Sequence, residues 1–242
     1  MKIMKNLKNL LPLILVLVIS SGAHAQFRRT VYGNGRVITS ERTPVNASGI
    51  KVSTGIDIYL RQGDEPELAV EADENLHGHI IARERNGILE IYTDVNIRRA
   101  KMKTVYVTLK EIKSIATSSA GNITGESAIE SDNLHIVASS AGDIKLEVYA
   151  RKIDAGISSS GDVTLSGEAD MLSAVLSSAG NLNAYNLRVK EADVRASSAG
   201  DAGICVSERL TARASSAGDI YYKGNPLYID TRASSAGSIR RR

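Results

Sequence analysis

The chain has 242 residues and a formal net charge of +3. Lys2, Lys5 and Lys8 account for that excess, and the remainder is balanced at 27 basic and 27 acidic residues. A phosphate-binding nucleic-acid protein would show a basic surplus or stripe. The single cysteine, Cys205, excludes an internal disulfide framework, and a core with no Trp and one Phe is unlike that of a large globular enzyme.

The first segment combines a basic head (1–9), an apolar run (10–19) and the small-residue stretch Ser20-Ser21-Gly22-Ala23-His24-Ala25. These are the three parts of a secretory signal peptide cut after Ala25. Ten helical residues reach about 15 Å, half the bilayer hydrocarbon of roughly 30 Å, and Pro12 interrupts them, so a membrane anchor fits poorly. Residues 26–242 are therefore expected to be exported, to the periplasm, the outer-membrane surface or the medium. No transmembrane segment is expected once the signal is removed.

Residues 26–115 read as short strands at 50–53, 56–60, 68–72, 80–83, 88–92 and 105–109, each alternating apolar and polar side chains. Asn86-Gly87 between two apolar runs predicts a tight hairpin. This part is either a set of irregular early coils or a cap, and no linker separates it from residues 116–242.

From residue 116 the chain repeats itself. Ser118-Ser119-Ala120-Gly121-Asn122 returns six more times, ending at Ser234-Ser235-Ala236-Gly237-Ser238. The glycines Gly121, Gly142, Gly161, Gly180, Gly200, Gly218 and Gly237 are separated by 21, 19, 19, 20, 18 and 19 residues. Around each copy apolar residues fall at every second position (Ile144 and Leu146, or Ile153, Ala155 and Ile157), with polar residues between them. A period of two means strands and excludes helical repeats. Each copy predicts a strand, a tight turn with glycine at positive φ, a second strand and a second corner. A single coil offers too few inward side chains to offset the cost of ordering its backbone, about 1–2 kcal/mol per residue, so the coils must stack. The expectation is an all-β, right-handed, single-stranded parallel β-helix with coils of about nineteen residues and a less regular N-terminal part.

Candidate sites are few. The Ser ladder fits a corner that needs small residues whose hydroxyls satisfy the turn. Asp143, Asp162, Asp201 and Asp219, with Asn122 and Asn181, form a second ladder; stacked acids can bind Ca²⁺, but Asn interrupts them and turn chemistry accounts for both types. Arg195, Arg213 and Arg232 occupy one outward position in three successive coils and are the candidate ligand-binding residues, with Asp193 and Asp230 close enough to neutralise them. His77 and His79 read as neighbours on one strand face, with no third ligand to complete a metal site. Cys205 reads as an outward free thiol. No residue set reads as catalytic, and no cofactor or metal is implied.

The Ser-Ser-Ala-Gly-Asp ladder, the leader, Gly49-Ile50-Lys51-Val52-Ser53-Thr54-Gly55-Ile56-Asp57-Ile58-Tyr59-Leu60, Val70-Glu71-Ala72-Asp73-Glu74-Asn75-Leu76 and Asn86-Gly87-Ile88-Leu89-Glu90-Ile91 together resemble the putative auto-transporter adhesin, head GIN domain family, over most of residues 36–239. The resemblance implies a parallel β-helix at the cell surface or secreted, and it carries no catalytic residues. The expected function is an exported, non-enzymatic, adhesin-like or envelope-associated module binding a glycan, polymer or protein through its coil faces, with homo-oligomers compatible. A carbohydrate-active enzyme on a β-helix and a purely structural envelope protein are the alternatives.

Overall fold

The computed structural model describes residues 29–242, and the predicted signal peptide lies outside them. Alternating apolar residues build a β-solenoid of about seven turns with coils some nineteen residues apart. Strands Asp143–Ile157, Asp162–Leu176, Asn181–Ala196 and Asp201–Ala214 lie side by side in parallel. The pairing puts like on like: Ile144 beside Val163, Val163 beside Leu182, Leu182 beside Ala202. Inward residues of these coils are almost fully buried, among them Val148, Ile153, Leu172, Val194 and Leu210. Each fully buried Ile, Leu or Val contributes about 1.5–3 kcal/mol. Ile229 occupies the same inward row but is 51% exposed, because its strand, Tyr228–Ala233, pairs with Asp201–Ala214 alone.

The second corner differs from the expected turn. In the four middle coils the strand pairing runs through it, so each coil is one bent strand of 14 to 16 residues. Register shifts are confined to this bend, between Thr164 and Ser166 and between Ala184 and Arg188, with one just beyond it between Val189 and Glu191.

The first ninety described residues do two things. Gly49–Val52 and Asp57–Gln62 form a further coil, parallel to Ser114–Thr117 and Asn122–Gly125 on one side and to Ile88–Thr93 and Lys103–Leu109 on the other. Val37–Glu41, Glu67–Asp73 and Ile80–Arg85 pair antiparallel and close that end. The expected hairpin is present: Asn86 and Gly87 both have positive φ (53° and 78°) between two antiparallel strands. One core cluster runs from Ala47 to Ile220.

The repeated corner is built otherwise than expected. Positive φ falls on the second Ser and the Ala, as at Ser178 (48°) and Ala179 (59°), and on none of the seven repeat glycines. Two central residues with positive φ, closed by Gly180 N donating to Ser177 O at 2.9 Å, make a turn of the primed kind. The glycine serves close approach instead. A Cβ on Gly161 would lie 2.6 Å from Ala138 O, and one on Gly180 2.6 Å from Ile157 O, both backbone atoms of the coil below. The same corner occurs one coil earlier without the tag, at Ser53-Thr54-Gly55-Ile56, where Thr54 and Gly55 carry the positive φ. There Gly55 N donates to Ser119 O at 3.0 Å.

Candidate functional site: a groove along the second corner

The first corner offers backbone and little else. Ala141 N donates to Ser159 O, Ser160 N to Ser178 O and Ala179 N to Ser198 O, each at 3.0 Å, and Asp162 N donates to Gly142 O, also at 3.0 Å. These bonds satisfy the turn directly, so the expected role of the serine hydroxyls is taken by the main chain.

The Asp/Asn ladder is in register from Asp57 through Asn122, Asp143, Asp162, Asn181 and Asp201 to Asp219. Asparagine separates the acids: Asn122 Nδ2 donates to Asp57 at 2.7 Å and Asn181 Nδ2 to Asp162 at 2.9 Å. Where two acids meet, burial and the charge of Asp162 push the Asp143 carboxyl up. Tyr59, Thr124, Lys145 and Thr164 line a shallow trough beside this ladder. Tyr59 stacks on Tyr106 with ring centres 5.5 Å apart.

Arg195, Arg213 and Arg232 do form one row, each paired to the next in register. Two of them are engaged: Arg195 with Asp193 at 3.3 Å, and Arg213 with the Asp230 carboxylate and, at 2.9 Å, its carbonyl. The Arg213 hydrogen bond holds the Asp230 carboxyl below its ordinary value. Arg232 makes no ion pair within the described residues. His77 and His79 do not share a strand face, contrary to expectation. Both lie in the turn between two antiparallel strands, where His77 Nε2 is 3.1 Å from Ile38 O and His79 Nδ1 is 2.9 Å from Asp94. The helical turn Glu74–Leu76 takes up residues that would have continued the alternation. Among the described residues no group of three or more His, Cys, Asp or Glu is placed to hold a metal ion.

An elongated concavity lies on the bent second corner, which sequence reasoning did not single out. It holds about 440 Å³ and runs across successive coils. Ala150, Ala169, Val189 and Val206, stacked in register, form its floor. Tyr149, Glu168, Arg188 and Cys205 form one wall, also in register, and Asp170, Lys190 and Ser207 line the other side. Both acids are engaged, Glu168 by Arg188 and Asp170 by Lys190 at 2.7 Å. Those hydrogen bonds raise the affinity of both cations for their protons. At about 4.8 Å per coil, the stretch from Tyr149 to Gly224 spans roughly 19 Å. Gly167 allows the bend: its φ is 107° and its Cβ would lie 2.2 Å from Val148 O. Gly224 does the same three coils on, with φ 99° and a Cβ position 2.0 Å from Val206 O. The sequence signal for this region was the uneven spacing of the repeat glycines, since both flanks of the first corner stay in register and the extra residues must be absorbed opposite.

The crystal structure of a putative adhesin from Bacteroides fragilis is similar at TM-score 0.80 and 21% identity, covering 88% of this chain and 100% of that one. A putative lipid binding protein and a putative adhesin, both from Parabacteroides distasonis, are similar at TM-scores 0.71 and 0.72, with 22% and 21% identity; each match covers 88% of this chain and 100% of the other. At these identities the likeness establishes the fold alone. No curated protein matches the chain. The sequence profile of one family matches residues 46–226, three quarters of the chain, and the chain accordingly belongs to the family described as putative auto-transporter adhesin, head GIN domain.

Proposed function

We propose that this chain is an exported, non-enzymatic adhesin-like module that binds an extended surface polymer, glycan or protein along its coils, with the second-corner groove as the principal contact. The observation that carries the reading is the groove itself: an apolar floor one residue wide, repeated in register over four coils and flanked by ion pairs. A ligand that is long and repetitive matches a surface that is long and repetitive. The adhesin description of the family supports the same reading.

A lipid acyl chain is the second reading, favoured by the Ala and Val floor; one similar structure is that of a protein described as lipid binding. Two measurements test these readings. Cell fractionation should place the protein outside the cytoplasm. A glycan array and a pull-down from envelope extracts should return a polymer whose retention falls when Ala169 is enlarged to Trp. Solvent extraction of the purified protein that yields stoichiometric lipid would transfer the groove to the second reading, and turnover of a retained glycan would refute the non-enzymatic claim.

A further inference from the structure

Tyr185 breaks the repeat in a way that the groove does not require. Its coil is one residue longer than most, and the register with the next coil is lost between Ala184 and Arg188. The extra length lays the phenol ring over Gly203 of the following coil. A Cβ on Gly203 would lie 2.4 Å from the ring, so the glycine is the seat on which the ring rests. The ring thereby reaches two coils further along the axis. Lys223 Nζ stands 4.7 Å from its centre and the Arg242 guanidinium 5.3 Å, with Arg242 also donating to the phenol oxygen at 3.3 Å. Arg240 and Arg241 lie in register with Tyr221 and Tyr222, and Arg240, Arg241 and Arg242 line a hollow of about 360 Å³ with Tyr221.

The way these cations are held sets them apart. Arg188, Lys190, Arg195, Arg209 and Arg213 each face a carboxylate, while Arg232, like the patch cations, faces none among the described residues but lacks the aromatic contact of Lys223 and Arg242. Lys223, Arg240, Arg241 and Arg242 face none within the described residues. The acid beside them, Asp219, accepts from Ser238 at 2.6 Å and from Tyr221 at 3.4 Å. An aromatic ring orients a cation without cancelling its charge. Of these four exposed cations the ring positions two, Lys223 and Arg242, and none of the four is paired with a carboxylate side chain among the described residues.

We propose that this patch is an anion site for a negatively charged polysaccharide, one bearing sulfate, phosphate or carboxylate groups along its length. Arginine forks suit such groups through paired N–H donors. Exposed Asn183 and half-buried Thr164, in register on the same face, extend the site with hydrogen-bonding groups suited to sugar hydroxyls. A membrane would call instead for exposed apolar side chains among the cations. The exposed Leu227, Tyr228 and Ile229 belong to the Tyr228–Ala233 strand and the turn before it, not to the strands that carry the patch. This inference rests on the reading of the chain as a polymer-binding module and supplies the chemistry of the polymer.

The test is binding of the full chain to dextran sulfate, neutral dextran and phosphatidylglycerol vesicles, by calorimetry and co-sedimentation at low and high salt. Wild-type protein should bind dextran sulfate, weaken as salt rises and leave neutral dextran free. At up to about fivefold per exposed cation, the triple variant R240A/R241A/R242A should lose on the order of a hundredfold. Y185L should lose several-fold by releasing Lys223 and Arg242, while K113A, remote and paired with Glu111, should change little. Equal binding by the triple variant and wild type, with unchanged melting curves, would overturn the proposal. Binding to the vesicles but not to dextran sulfate would overturn it in favour of a membrane. Retention of neutral glycans through the groove, indifferent to all three variants, would overturn this inference and leave the function proposed above intact.

Discussion

Gly180→Ala separates two accounts of why glycine ends every Ser-Ser-Ala-Gly corner. If glycine supplied positive φ, an alanine would strain the backbone, and the residue before it would be indifferent. Here positive φ belongs to Ser178 and Ala179, and the Gly180 Cβ position lies 2.6 Å from Ile157 O and 2.8 Å from its carbonyl carbon. Neither atom can rotate away, because Ile157 O already accepts from Ser177 N at 3.0 Å. Relief requires the two coils to part locally by several tenths of an ångström. That weakens this bond and the Asn181 N to Gly161 O bond (2.9 Å), worth about 0.5–1.5 kcal/mol each. Overpacking adds about 1–3 kcal/mol, so the expected loss is about 2–6 kcal/mol. Ala179→Gly should move the other way. It relieves about 1–2 kcal/mol of left-handed strain against about 0.5–1 kcal/mol of added unfolded-state entropy, a net gain near 0.5 kcal/mol. Gly156→Ala is the control, since nothing lies within 4 Å of its Cβ position; it should be neutral or slightly stabilising. Urea midpoints at constant m-value, read by circular dichroism, measure all three. A Gly180→Ala loss no larger than that of Gly156→Ala would refute the close-approach argument, and destabilisation by Ala179→Gly would refute the assignment of strain.

Three further outcomes are expected from the same packing. Asp73 is 1% exposed; burial pushes its carboxyl up, but the N–H groups of Gly35, Met102 and Lys101 and the charge of Lys101 outweigh that and hold it below the usual value. Its contribution is therefore present above the ordinary carboxylate range and lost as pH falls through the lowered value, so the deficit of Asp73→Asn, about 1–3 kcal/mol at neutral pH, should shrink below about pH 4. Asn181→Asp would exchange a donor to Asp162 for a like charge in an unbroken run from Asp143 to Asp219; it should destabilise by about 1 kcal/mol at pH 7 and recover as pH falls and the raised carboxyls protonate, measured by thermal melts across pH. Leu172→Ala, at a fully buried central position, should cost about 2–5 kcal/mol in the same urea assay.

The stacking of coils was legible because it depends on a period that side chains cannot hide. Ile144, Val163 and Leu182 sit in one inward row, as their identical distance from each Gly requires. What glycine does at the corner was not legible. Composition marks a glycine, but whether it is there for φ or for the space of a Cβ depends on the coil below, about nineteen residues away in sequence. The arginine row was visible from spacing, and so was the pairing of Arg195 with Asp193; Arg213 takes Asp230 and leaves Arg232 without an ion pair among the described residues. The groove was hidden because its floor departs from strict alternation: Leu172 follows Ala169 by three positions instead of two, where the strand bends. His77 and His79 were misplaced for a related reason, since two histidines at i, i+2 look like a strand face until a turn intervenes.

The two corners stand in a causal relation that bears on function. Backbone of one coil packs against the glycine of the next at the first corner, so no side chain can be added there without parting the stack. Sequence change is thereby excluded from that edge and admitted at the opposite one, where a residue can be gained or lost and the strand bends to absorb it. Gly167, Gly224 and the Tyr185 bulge all lie on the permissive side. The groove and the Tyr185 seat of the cation patch are built from those departures, while Arg240 and Arg241 stay in register with Tyr221 and Tyr222. A rigid edge that fixes register and a free edge that accepts variation together let one scaffold present different ligand surfaces without refolding. The part of the repeat that looks least regular is accordingly the part we propose as the recognition surface.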